Sequence, residues 1–348
     1  MATRRRKSRR KKSLGARILL ALFLIAILAL LAAGAGAWLV LSPYGPSSQT
    51  LVTVAPGSST FRIGRQLEME GVVRSRYAFD VLRWFEHGTL HAGEYSFDHP
   101  APATEVYERI VRADVVTMSL TVPEGANIFD IAARVERAGL GTRQDFLASA
   151  ASQTILIADI DPKATSLEGY LFPDTYRFAP NATTNQVAAA MVQRFRAVAA
   201  QLGLKDKVHE IVTVASLVER ETAVDADRPL VASVFENRLA KKMPLKTDAS
   251  VIYGLELEGK WRGVIHLSDL TLDTAYNTYL HAGLPPGPVA NPGVPSLRAA
   301  MDPPKTNYLY FVAAGTDAQG HSRFAATLDE HNRNVAAYRN AQKKAGER

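Results

Sequence analysis

The hydrophobic positions change their spacing twice along the chain, and each change marks a different kind of structure. From Ile18 to Leu41, 24 consecutive residues carry no charge (ILLALFLIAILALLAAGAGAWLVL). As a helix this run reaches roughly 36 Å, enough to cross a hydrocarbon core with some tilt. Ser42 to Gln49, rich in Pro, Gly and Ser, reads as a linker. From Leu51 onward, short strand-like runs alternate with amphipathic helical stretches, separated by Pro/Gly turns. After Pro180 the spacing becomes helical over longer distances. Thr184–Leu202 places Val187, Met191, Phe195 and Val198 on one face, and Lys205–Thr222 carries a stripe of Ile211, Val214, Ala215, Val218 and Thr222. Asp227 is placed to cap a third helix, with Pro229 in its first turn and Val231, Val234, Phe235 and Leu239 beneath. A strand at Tyr308–Ala313 and a polar helix from about Asp329 complete the chain.

Within this pattern lies a weak internal repeat at a constant offset of 68 residues. Thr53, Val54, Gly57, Phe61, Ile63, Glu68 and Gly71 recur as Thr121, Val122, Gly125, Phe129, Ile131, Glu136 and Gly139. Each copy predicts a strand, a Pro/Gly turn and an amphipathic helix closed by glycine. The first copy continues with a second helix, Arg76–His87, and a returning strand, Gly93–Phe97. That strand–helix–helix–strand order resembles a LysM module, a fold that binds N-acetylglucosamine-containing glycans. The second copy has a longer interior and a returning strand at Asp174–Phe178. A duplicated α+β unit without a ligand fits the same pattern.

Charge changes the picture only at the N-terminus. The chain carries 41 Lys and Arg against 34 Asp and Glu, but nine of the basic residues lie between Arg4 and Arg17, ahead of the first acid, Glu68. The remainder has 32 basic and 34 acidic residues, so the excess is a terminal tag rather than a nucleic-acid-binding surface. A basic flank on one side of an apolar helix predicts a cytoplasmic N-terminus and an extracytoplasmic remainder. A cleaved signal peptide is the rival, since Ala33–Ala37 offers small residues to a peptidase. The apolar run, however, exceeds a signal h-region and continues through Trp38–Leu41. With no cysteine, thiolate metal sites, disulfides and cysteine nucleophiles are excluded. No HExxH, GxSxG, P-loop or strand-associated GxGxxG occurs. His87 and His91 near Glu94 fall in a helix-to-loop segment, so neither a metal nor a cofactor is expected.

The acids are more informative. In Ala215–Thr222 (ASLVERET), two glutamates end an apolar helix. Glu219 lies about 80° from Ile211 and about 40° from Ala215, at the edge of the stripe, with Arg220 turned to the wet face. Desolvation there would raise the Glu219 pKa and favour the protonated carboxyl that glycosidic-bond protonation requires. The alternative is a helix-end carboxylate bound by Arg220 or a nearby amide. Glu221 projects about 160° from Glu219 and is unplaced to act on the same bond. The segments 166–176 and 274–287 interleave acids, aromatics, amides and rigid turns, as the walls of sugar clefts do.

Taken in order, LEGYLFPDTY (167–176), ASLVERET (215–222), VASVFENRL (231–239), TDASVIYG (247–254), AYNTY (275–279), GLPPGPVANPG (283–293), YLYFV (308–312) and HSRF…HN (His321 to Asn332) resemble the YceG-like endolytic murein transglycosylase family. The resemblance implies a single-pass protein of the cytoplasmic membrane, of α+β class. Its expected parts are a basic tail (1–17), a transmembrane helix (18–41), a linker (42–50), a LysM-like βααβ subdomain (51–115) and a mixed helical and strand catalytic domain (116–340). A second LysM-like repeat falls near 120–178, and a polar tail at 341–348. It implies cleavage within nascent peptidoglycan strands at the MurNAc–GlcNAc bond, giving 1,6-anhydro ends, with Glu219 catalytic. Glu168, Asp248, Tyr276 and Asn277 match family motifs and are assigned to substrate binding or to support of Glu219. Peptidoglycan synthases are the implied partners. A water-using hydrolase and a non-catalytic glycan-binding scaffold are the alternatives.

Overall fold

The computed structural model describes residues 14–314 and 320–346; most of the basic tail lies outside them. The chain divides into two compact units, with the boundary between Thr117 and Met118.

The first unit opens with α1 (Leu14–Leu41), the one helix among the described residues long and apolar enough to cross a membrane. Then come β1 (Thr50–Val54), α2 (Thr60–Met69), α3 (Arg76–Glu86), β2 (Gly93–Phe97) and α4 (Ala103–Val111). Both central helices start where a serine, Ser59 or Ser75, accepts a hydrogen bond from a first-turn amide. β1 and β2 pair antiparallel with Val52 opposite Tyr95. Val52, Ile63, Leu67, Phe79, Tyr95 and Ile110 fill the core. The segment expected as a linker is tied down at one point. Tyr44 and Ala101 exchange backbone hydrogen bonds of 3.0 and 3.1 Å. The Arg74 guanidinium lies 4.4 Å from the ring centre of Trp38 and 4.7 Å from that of Tyr44, and Leu39 and Val40 pack on the core. These contacts tie the end of α1 to its own unit.

The second unit begins by repeating the motif: β3 (Met118–Thr121), α5 (Ile128–Arg137), α6 (Arg143–Ser152) and β4 (Thr175–Phe178). Leu120 faces Tyr176 as Val52 faces Tyr95, so both copies share one strand register. The paired glycines share a backbone as well. Gly57 and Gly125 have φ of 74° and 75°, and Gly71 and Gly139 have 69° and 71°, a left-handed conformation that glycine adopts without steric cost. The longer interior of the second copy is the segment between α6 and β4, which carries Glu168.

Helices α7 (Thr184–Leu202), α8 (Val208–Glu221), α9 (Arg228–Ala240), α10 (Asp248–Leu257) and α11 (Val294–Met301) follow, then the hairpin β5 (Tyr310–Ala313) and β6 (Ser322–Ala325) and helix α12 (Leu328–Gly346). All three sheets among the described residues are two-stranded and antiparallel. α7 carries a reciprocal cap between Thr183 and Gln186 and stops at Gly203. Two expectations need correction. Asp227 precedes α9 but does not cap it with its side chain; its carboxylate accepts from the Ser322 amide at 2.6 Å and meets His321 Nδ1 at 3.2 Å, tying α9 to the hairpin. Residues 341–346, read as a tail, continue α12.

Candidate active site

Glu219 sits in the last turn of α8, just beyond the fully buried Leu217 and Val218. Its side chain is only 5% exposed, which commits both oxygens to protein partners. Oε1 accepts from Arg228 Nη1 at 2.7 Å and Oε2 from the Gly293 amide at 2.9 Å. Arg228, also buried, begins α9; its Nη1 donates to Ser296 Oγ and its Nε to Asp225. The end of α8 and the starts of α9 and α11 therefore converge on one carboxylate. Of the two readings the sequence left open, the bound helix-end carboxylate describes the geometry: an amide holds Glu219, as does a guanidinium, which comes from Arg228 rather than Arg220. Arg220 is exposed and donates to the Gly125 carbonyl at 3.1 Å.

Glu221 belongs to a different cluster. Burial, and then the nearby Asp248, push its pKa up to about 7 against the opposing pull of Arg238 and Arg220. Asp248, exposed at the start of α10, accepts from Tyr279 Oη at 2.7 Å. Asp248 is thus brought to Glu221, while Glu219 is held by Arg228 and the Gly293 amide.

Glu168 is buried at a crossing of loops. Its carboxyl accepts from the Ile128 amide at 2.8 Å and from Asn291 Nδ2 at 2.7 Å. Burial is the main cause that pushes its pKa up to about 8, with hydrogen bonds from the Ile128 amide, Tyr253 and the Gly169 amide opposing. Asn291 in turn accepts from the Leu171 amide, donates to the Ala126 carbonyl, and receives the Gly125 amide on its own carbonyl. Glu168 is thereby linked through Asn291 to the 125–126 turn and to the loop that ends in Gly293. Tyr276 lines a narrow cavity with Glu168, His209 and Pro286; its ring stands edge-on to Tyr253, and burial pushes its hydroxyl up to about 12. Asn277 is fully buried. Its amide donates to the Leu270 and Leu272 carbonyls and accepts from the Tyr279 amide, so it shapes the loop carrying Tyr276 and Tyr279.

Sequence reasoning passed over Arg228, Ser296, Asn291, Gly293 and Glu124. Glu124 is exposed on the Pro123-Glu124-Gly125 turn, whose Gly125 is buried, and a Cβ placed on Gly293 would fall on its carboxyl. Its pKa is raised, first by desolvation and then by Glu219, with Arg228 opposing. Asn291 and Gly293 did stand inside a recognised motif, but nothing local distinguishes a glycine kept for space from one kept for a turn. Among the described residues no group of three or more His, Asp or Glu is arranged to hold a metal ion.

A buried, guanidinium-paired glutamate at a helix end, flanked by the Pro123-Glu124-Gly125 turn of the second βααβ copy and an Asn-Pro-Gly loop, defines a carboxylate-centred site. Residues 52–337 match the YceG-like family, and the chain belongs to it. It is 33% identical over 322 residues to the endolytic murein transglycosylase of Bacillus subtilis (strain 168), covering 86% of this chain and 88% of that one. It is 31% identical over 340 residues to the endolytic murein transglycosylase of Streptococcus pneumoniae serotype 2, covering 87% of this chain but only 61% of that longer relative. A crystal structure of a YceG-like protein from Listeria monocytogenes, 30% identical, matches with a TM-score of 0.53 over 83% of this chain and 99% of its own.

Proposed function

We propose that this protein is a membrane-anchored endolytic murein transglycosylase, a carbon–oxygen lyase that cuts within peptidoglycan glycan strands. The observation that carries the reading is Glu219, nearly buried and held by both oxygens, at the end of α8 in a chain whose relatives bear that name.

In the proposed reaction Glu219 gives a proton to the oxygen that joins MurNAc C1 to GlcNAc. The C1–O bond breaks with its electron pair on that oxygen, which leaves as a GlcNAc hydroxyl. Arg228 and the Gly293 amide keep the carboxylate aimed while positive charge develops at C1. The MurNAc 6-hydroxyl then attacks C1 and returns its proton to Glu219, closing the 1,6-anhydro ring without water. One carboxyl serves both steps because the nucleophile belongs to the substrate, unlike a glycosidase that sets two carboxylates across the bond. The separate surroundings of Glu219 and Glu221 support this reading over a hydrolase.

The βααβ unit of residues 51–115 supports a LysM-like role in holding the glycan. Trp84 and Phe85, 71% and 66% exposed on α3, offer rings for pyranose faces. α1 would anchor the chain in the cytoplasmic membrane with its N-terminus inside, placing the enzyme beside peptidoglycan synthases to end strand elongation. Digestion of isolated sacculi followed by end-group analysis tests the whole reading. Anhydro-MurNAc ends are expected; free reducing ends would make it a hydrolase, and no cleavage a scaffold.

A further inference from the structure

The catalytic carboxylate has a neighbour that the reaction as written does not use. The duplicated turn shows that this neighbour is not a requirement of the backbone. At the offset of 68, Glu124 corresponds to Pro56, and the adjoining glycines adopt the same left-handed conformation in both copies. The turn therefore forms equally well without a carboxylate. Its surroundings differ, however. A Cβ on Gly57 would meet nothing within 4 Å, whereas one on Gly125 would stand 3.4 Å from Glu219 Cγ and 3.7 Å from Arg220 Cδ. The copy that carries the glutamate is the copy packed on the end of α8.

Gly293 gives the second observation. Its φ of −80° is open to any residue, so its backbone does not call for glycine. What it supplies is room. Glu124 lies against its α-carbon, where any side chain would collide, while its amide is bound to Glu219. One glycine thus seats both carboxyls. Arg228 pairs with Glu219 and Asp225, and among the described residues it forms no ion pair with Glu124. Two carboxyls against a single guanidinium already shared with Asp225 is an arrangement that favours holding one proton on the pair.

We infer that Glu124 is a positioning residue for the proposed lytic reaction, sharing with Glu219 the proton that is passed to the glycosidic oxygen. The inference rests on the reading of Glu219 above. The pair holds one proton before cleavage. That proton leaves through Glu219 as the C1–O bond breaks, and the proton of the 6-hydroxyl restores it, so none is gained or lost over the cycle. Glu124, on the exposed side, keeps the buried carboxyl from losing its proton to solvent. The charged groups facing this pair are Arg228, Asp225 and Arg220.

The test is the pH profile of kcat on isolated glycan for the full chain and its Glu124→Gln and Glu124→Asp variants. Glu124→Gln removes the like charge that holds the proton on Glu219. It should lower kcat about 10–100-fold with little change in KM, and move the basic limb to lower pH. Glu124→Asp should recover part of both. A Glu124→Gln enzyme with a wild-type profile overturns the inference, and so does one whose rate falls with the basic limb unmoved, which would mark a purely structural role. Glu219→Gln separates the two readings. If it stays active the assignment of Glu219 fails, whereas if it is dead while Glu124→Gln behaves as wild type, only the sharing fails.

Discussion

Gly293 donates its amide to Glu219 across 74 residues of sequence, at 2.9 Å, and so places the start of α11 directly on the last turn of α8. A side chain at position 293 would displace Glu124, and loss of the amide bond would free one oxygen of a carboxyl that has almost no access to water. The site is therefore built from backbone as much as from side chains.

The two equivalent glycines of the repeat separate stability from function. Gly57→Ala and Gly125→Ala each force a residue with a Cβ into the left-handed region, at a cost of about 1–2 kcal/mol. Urea unfolding should show losses of similar size for both. Cleavage of isolated glycan should fall only for Gly125→Ala, whose strained turn lies in van der Waals contact with Glu219. Equal activity in the two variants would contradict the placement of this turn against the site.

The buried acids set the pH dependence of stability. In the folded protein Glu168 is raised to about 8 and Glu221 to about 7, both well above an ordinary glutamate. A group whose pKa rises on folding contributes stability that is complete below its unfolded value and is lost as pH climbs through the folded one. Tm should therefore decline between about pH 5 and pH 8. In Glu168→Gln the remaining decline should end nearer pH 7, where Glu221 ionises. A wild-type Tm that rises over this range would contradict the burial of these two carboxyls.

How much of this was legible in the sequence follows from how local each feature is. The repeated strands and helices were readable because period-2 and period-3.6 patterns and left-handed glycines act within a few residues, and Thr184–Leu202 was bounded correctly from its apolar face. Glu219 was singled out from the helix face and the family motif. Its partners were not, because Arg228 lies on the next helix and Gly293 and Glu124 approach from distant loops. Asp227 misled for the same reason: it stands where a helix cap belongs, yet its carboxylate is taken by a strand 95 residues away. The apolar run of α1 was plain, but its attachment through Arg74, Trp38 and Tyr44 depends on contacts that no periodicity encodes.

That attachment bears on where the anchor can be cut. A chain starting at Trp38 keeps Leu39 and Val40 on the core and both rings of the Arg74 stack, while one starting at Ser42 loses Leu39, Val40 and Trp38 and keeps only Tyr44 beneath Arg74. Both should be soluble and cleave isolated glycan, since in the proposed reading α1 supplies location rather than contacts to the reacting sugar. The longer form should be more stable by about 1–2 kcal/mol in urea unfolding. Equal stability would mean the end of α1 does not contribute to the first unit.

The central claim is that Glu219 carries the chemistry, and its most direct test compares Glu219→Gln with Glu221→Gln in digests of isolated sacculi, counting anhydro-MurNAc ends by mass spectrometry. Glu219→Gln keeps the size of the side chain and removes its titratable proton, so ends should appear about 10²–10⁴-fold more slowly while the glycan is still bound. Glu221→Gln alters a carboxyl that faces Asp248 and Arg238 instead, and should retain most of the activity. If Glu221→Gln is the inactive variant and Glu219→Gln still produces anhydro ends, the assignment of Glu219 is wrong.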